Sequence, residues 1–164
     1  MTSAYHHVGV RVSNIAEAIQ FYRGALGARV LVDPYQVTGD VADSITGHRG
    51  ATMRMAQLGF DGDVGGFVEL FEFAPAGLAP DGPVPYTHQQ VLHFGLQVPD
   101  VETALASIEA AGGSRVFDPR QMTSADAKDV ITFCYCRDPD GNVIELADGP
   151  MAQIVNIVHA REQS

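Results

Sequence analysis

Four side chains in this sequence have the types and spacing to hold a divalent cation: His7, Glu69, His93 and Glu145. Imidazole nitrogens and carboxylate oxygens make a mixed donor set that suits nickel, cobalt, zinc, manganese or iron. The four are related by an internal repeat. His7-Val8-Gly9-Val10 opens one copy, and His93-Phe94-Gly95-Leu96 opens the other, 86 positions later. At the same offset Val12 matches Val98, Ala18 matches Ala104, Gly27 matches Gly113, and Arg29-Val30 matches Arg115-Val116. Each copy then reaches an apolar run with one acid inside it, Val68-Glu69-Leu70 and Ile144-Glu145-Leu146. A repeat of this length means two similar modules, so each His has a counterpart and each Glu has a counterpart.

The elements that must position these groups follow from periodicity. Residues 5–12 alternate, with Val8, Val10 and Val12 on one side and His7, Gly9 and Arg11 on the other, which is a strand. Ser13 or Asn14 caps a helix over 15–26, with Ile15, Ala18, Ile19, Tyr22 and Leu26 on one stripe, and Gly27 ends it. Residues 28–32 read as a short strand, 33–49 as a loop insertion, and 51–58 and 67–73 as strands. The first module, residues 1–74, is therefore βαβββ. Residues 75–90 hold Pro75, Pro80, Pro83 and Pro85 and read as a linker. The second module, 91–148, repeats the order. It has a strand over 91–98, a helix from Asp100 to about Ala111 stopped by Gly112-Gly113, a strand over 114–117 and a polar loop over 118–129. A hairpin over 130–147 then turns at Asp138-Pro139-Asp140-Gly141. Residues 149–164 form an apolar C-terminal tail. The fold class is α+β: two tandem βαβββ modules forming a curved mixed sheet around a metal-binding cleft.

Face parity brings the candidate ligands to one side. If the valines of the first strand face the covering helix, His7, Gly9 and Arg11 face away from it. By the same alternation His93, then Glu69 with Phe71 and Phe73, then Glu145, project from the faces that carry no helix. A single histidine on a strand is ordinarily a surface group. Four ligand-type residues in symmetric register, two of them carboxylates among apolar neighbours, are better explained by a cation that offsets the cost of burying charge.

Composition excludes several partners. Of 164 residues, 20 are acidic and 10 basic, nine Arg and the single Lys128, for a net charge of -10. That balance excludes a phosphate-tracking surface, so no nucleic acid is expected. No apolar run approaches the ~18 residues of a membrane span, and no secretory leader is visible at the N-terminus. A cytoplasmic protein acting on a small molecule is expected. Cys134 and Cys136 lie two apart on one strand, roughly 7 Å from each other, too far for an easy disulfide, and read as buried structural thiols.

The sequence resembles the vicinal oxygen chelate superfamily, the group of glyoxalase I, methylmalonyl-CoA epimerase, extradiol dioxygenases and bleomycin- or fosfomycin-resistance proteins. The residues that carry the resemblance are His7-Val8-Gly9-Val10, Phe21-Tyr22, Leu26-Gly27, Val68-Glu69-Leu70 and His93-Phe94-Gly95-Leu96. To these is added the run from Asp138 through Gly141 to Glu145-Leu146. The likeness covers nearly the whole chain in the family's two-module order. It implies that His7, Glu69, His93 and Glu145 hold one divalent metal, as in glyoxalase I. Extradiol dioxygenases, by the same resemblance, use two His and one Glu, matching His7, His93 and Glu145, and put no ligand at the Glu69 position. Four intact ligands therefore favour a lyase, isomerase or epimerase that abstracts a proton next to a carbonyl and stabilises the enediolate, with Glu145 or Glu69 as the base. The alternatives are a ferrous-iron dioxygenase and a ligand-sequestering resistance protein without turnover.

Arg11 falls where glyoxalase I has an arginine for the glutathione carboxylate, and His48, Phe71 and Phe73 complete the expected substrate contacts. The resemblance departs from glyoxalase I in its longer first-module loop and its Pro-rich linker. It departs also in lacking a second arginine for a glutathione carboxylate and a basic cluster for a coenzyme A phosphate. A homodimer is expected, with the apolar stretch 154–158 at its contact.

Overall fold

The computed structural model describes residues 6–60, 66–74, 93–124 and 128–150, together with Gln153 and Ile157. The chain divides into two compact units, Met1–Pro85 and Tyr86–Ser164. The linker expected at 75–90 lies outside the described residues.

In the first unit β1 (His7–Arg11) leads into α1 (Ile15–Leu26). The helix begins where it does because Asn14 is extended and its side-chain oxygen accepts from the Ala16 and Glu17 amides, a cap whose loss costs about 1 kcal/mol. It stops at Gly27, whose φ of 68° is the left-handed conformation that glycine adopts without strain. Ile15, Ala18, Phe21 and Tyr22 are buried on its inner face. Glu72 ties the helix to the sheet: its Oε2 accepts from the Ile15 amide at 2.8 Å and lies 3.4 Å from Arg54 Nη1. A carboxylate there complements the positive end of the helix dipole. Sequence reading gave Glu72 no role, because its partner is 57 residues away.

The chain continues through β2 (Arg29–Val37), α2 (Asp40–Thr46), β3 (Thr52–Gly59) and β4 (Phe67–Ala74). The sheet order is β1-β4-β3-β2, with β1 parallel to β4 and the other pairs antiparallel. The expectation of a loop over 33–49 is corrected here. The strand runs on to Val37 despite Pro34, and a short helix follows. Pro34 is tolerated because β2 is an edge strand, and the register with β3 shifts between Val32 and Tyr35, on either side of the proline.

The second unit repeats this plan with β5 (Phe94–Gln97), α3 (Val101–Ala110), β6 (Ser114–Arg115), β7 (Arg120–Thr123), β8 (Val130–Arg137) and β9 (Val143–Ala147). Its sheet order is β5-β9-β8-β6, with β7 also on β8 and β5 parallel to β9. Asp100 caps α3 by accepting from the Thr103 amide at 2.7 Å. The hairpin turns as expected: the Gly141 amide donates to the Asp138 carbonyl, and the buried Asp138 carboxylate accepts from the Asn142 backbone and side-chain amides. The polar loop expected over 118–129 is also corrected, since Arg120–Thr123 pairs with Val130–Phe133. Strand pairing there is a backbone matter at a sheet margin, and side-chain alternation does not announce it. The molecule is thus α+β, two helix-backed mixed sheets in tandem.

Candidate metal centre

In both modules the sheet delivers a histidine and a glutamate to one another by the same register. Gly9 lies opposite Glu69, and Gly95 opposite Glu145. The histidine two residues before each glycine therefore shares the glutamate's face and approaches it diagonally. His7 Nε2 lies 3.4 Å from Glu69 Oε2, and His93 Nε2 lies 2.9 Å from Glu145 Oε2. The glycines suit the close approach. A Cβ on Gly95 would sit 4.0 Å from Glu145 Oε2, and one on Gly9 would sit 3.0 Å from the Phe71 ring.

Each glutamate is flanked across the sheet by an equivalent position of the next strand. Gln57 pairs with Glu69 and Tyr135 with Glu145. Gln57 Nε2 donates to Glu69 Oε1 at 3.1 Å, so the first carboxylate, nine-tenths buried, is held at both oxygens. Tyr135 packs its ring 4.8 Å from the ring of His93, and Phe117 backs Tyr135 at 5.3 Å. His7 in turn stacks on Phe67, with ring centroids 5.3 Å apart and planes at 21°. Tyr35 stands on the same face by its pairing with Met55, and Met55 pairs with Phe71. Partial burial, and then the Glu69 charge, push its phenol above the ordinary value, so the hydroxyl stays a proton-bearing donor. Sequence reading singled out neither Gln57 nor Tyr35. Their signal was present only as facing positions on strands whose register had yet to be known.

The faces taken as free of helix are partly covered. In the first module Met53, Met55, Phe71 and Phe73 form an apolar cluster with Ala42 of α2, and the two phenylalanine rings stack 6.0 Å apart. In the second, Ile131, Ala147, Met122 and Phe133 pack against Ile157 of the tail. Both coverings come from segments outside the repeat, and they seal the part of each face away from the His–Glu pair. Ile157 is fully buried in this way; the rest of the stretch 154–158 expected at a dimer contact lies outside the described residues. Arg11 ends β1 in register with Phe71, on the His7 side by alternation. His48 is exposed in the turn after α2, its backbone held by Thr46, and no contact joins it to the His7–Glu69 pair.

The donor set fits a divalent cation. Two ligands on one ion, each at about 2.0–2.2 Å, stand about 2.8–3.6 Å apart at octahedral or tetrahedral angles, a range that includes the two His–Glu separations. Among the described residues no cluster of three or more His, Cys, Asp or Glu gathers in a form that could hold an ion, so each module by itself offers a pair. Cys134 and Cys136 lie on the opposite, α3-facing side with Leu146 and Ile144, both buried and unbridged. Burial pushes their thiols up to about 11 and about 12, which keeps them protonated and unsuited to ligation at neutral pH.

The family model for the Glyoxalase/Bleomycin resistance protein/Dioxygenase superfamily matches residues 4–146. A glyoxalase family protein from Bacillus cereus is similar in structure with a TM-score of 0.72 at 20% identity, over 90% of this chain and 94% of that one. The trypanothione-dependent glyoxalase I of Leishmania major aligns at 18% identity with a TM-score of 0.61, over 99% and 98%. Glyoxalase I from Zea mays aligns at 22% identity with a TM-score of 0.55, over 89% of this chain and 44% of that longer one. No functionally curated protein matches the sequence. At these identities the structural likenesses speak for the fold, and the family match, spanning most of the sequence, is what assigns membership: the chain belongs to the Glyoxalase/Bleomycin resistance protein/Dioxygenase superfamily.

Proposed function

We propose that this protein is a divalent-metal-dependent lyase or isomerase that moves a proton at a carbon next to a carbonyl in a small chelating substrate. The observation that carries the reading is the pair of His–Glu contacts made by the same strand register in both modules. His7, Glu69, His93 and Glu145 would hold the ion together, within one chain or between two chains that exchange modules. The ion would supply an electrophile that polarises the carbonyl and acidifies the adjacent C–H. The buried Glu69, held by Gln57 as well as His7, supports four protein donors over three, which favours this reading over an oxygen-activating iron site.

Glu145 is the better base. Its side chain is 25% exposed against 10% for Glu69, and among the described residues no amide pins it as Gln57 pins Glu69. Its carboxylate takes the proton, the C–H electron pair moves toward the carbonyl oxygen, and the acid returns the proton to the neighbouring carbon. Tyr35, still protonated, is a donor on the same face for a substrate oxygen. The stacked Phe71 and Phe73 offer an apolar wall, and Arg11 a charge for a substrate carboxylate.

The test is solvent-deuterium exchange at the α-carbon of hydroxy-ketones and thioesters, run without oxygen on protein loaded with each metal in turn. Exchange that requires the metal and survives anaerobiosis is the expected result. Turnover seen only with ferrous iron and oxygen would replace this reading with the dioxygenase one, and stoichiometric binding without exchange would replace it with sequestration.

The modules 1–74 and 91–148, joined by 75–90, would act as a homodimer in the cytoplasm, on a small molecule and without nucleic acid. Among the described residues no helix is long and apolar enough to cross a membrane. Leu31, Val41 and Ile45 expose about half of their surface or more on β2 and α2 and are candidates for a contact. Light scattering at micromolar concentration should return twice the 17.5 kDa chain mass; a monomer mass rules the dimer out.

A further inference from the structure

The histidine ahead of the first ligand has no counterpart in the repeat. His6 precedes His7, whereas Leu92 precedes His93. The two adjacent rings are in direct contact: His6 Nδ1 lies 2.7 Å from His7 Nδ1, a hydrogen bond between two ring nitrogens. Both rings are anchored on Phe67, His6 edge-on at 5.0 Å and His7 stacked at 5.3 Å. His7 thus has both nitrogens engaged, Nδ1 with His6 and Nε2 with Glu69.

We infer that His6 is a positioning residue that fixes the ring orientation and tautomer of His7 for metal binding. The inference rests on the reading of His7 as a ligand through Nε2. A neutral imidazole carries one ring proton. For Nε2 to present its lone pair to a cation, that proton must sit on Nδ1, where an acceptor is needed. His6 Nδ1 is that acceptor, with its own proton on Nε2. Outer partners of this kind hold a ligating imidazole in one flip state and raise its basicity, and losing one typically costs 10–100-fold in metal affinity. In the second module the His93 ring packs instead on Tyr135, at 4.8 Å between centroids.

The experiment measures zinc affinity by competition with a chromophoric chelator, on the full chain carrying His6→Phe, His6→Asn or His7→Ala. Thermal melting of the metal-free proteins runs alongside. His6→Phe keeps an aromatic ring against Phe67 and removes the acceptor. It should weaken zinc by roughly 10-fold or more while leaving the metal-free melting temperature unchanged. His6→Asn, whose amide oxygen can accept near the Nδ1 position, should recover most of the loss. His7→Ala should weaken zinc further and abolish any additional effect of His6→Phe in the double variant. Unchanged zinc affinity in His6→Phe, or a full effect of His6→Phe in the His7→Ala background, overturns the role of His6. Unchanged affinity in His7→Ala instead overturns the metal reading of the site itself.

Discussion

Replacing His93 by alanine is expected to abolish tight metal binding while leaving the fold in place. The side chain sits on the sheet face, about one-quarter exposed, and the β5–β9 pairing that positions it is made by backbone and survives its loss. The chemical loss is larger. Its imidazole is one of two nitrogens in the proposed donor set, and no neighbouring carboxylate can supply a nitrogen at the same distance. Removing an outer partner of a ligand costs roughly 10–100-fold in affinity, and removing the ligand should cost more than that. Elemental analysis of the variant, purified beside the parent protein under mild conditions, checks it. Metal retained at the parent stoichiometry would disprove the assignment of His93, and with it the symmetric set.

Glu145→Gln should lower proton exchange by roughly 10²–10⁴-fold, with metal content reduced only modestly. Glutamine is nearly isosteric and still offers an oxygen, but it cannot accept a proton at neutral pH. The matched variant, Glu69→Gln, should behave in the opposite proportion. Glu69 is buried and faces His7, and a glutamine there keeps an oxygen for Gln57 but loses the charge that faces His7. Its main loss should be in metal content, and exchange per bound metal should change less. The two variants, each assayed for metal content and for exchange, therefore assign the base. If exchange per bound metal falls more in Glu69→Gln than in Glu145→Gln, the roles are reversed.

The local consequences of the sequence were legible from it. Helix α1 ends at Asn14 and Gly27 because a cap oxygen and a positive φ are properties of those residues alone, and the strand that holds His7 shows its alternation within six residues. The repeat added something that single-residue reasoning lacks. It identified His93 as the partner of His7, and Glu145 as the partner of Glu69, before any contact was known. Sequence alone also sufficed for the parallel between the two Gly positions, though their purpose, opposite the glutamates, became visible only with the register.

What tertiary structure alone decided is a set of contacts between residues far apart in the chain. Gln57 reaches Glu69, and Glu72 reaches the amide of Ile15, because β3, β4 and α1 pack in one particular register, and a shift of one residue would send each side chain to the other face. Pro34 inside a strand, and Arg120–Thr123 as a strand without alternation, follow from sheet margins, where one side of the backbone is unpaired and propensity loses its authority. Helix α2 and the tail residue Ile157 fold onto the sheet faces that a repeat argument leaves bare, since neither belongs to the repeat. The types of the proposed ligands were written in the sequence because coordination chemistry selects residues by kind. The groups that orient them were not, because hydrogen-bond partners and ring packing are selected by position in space.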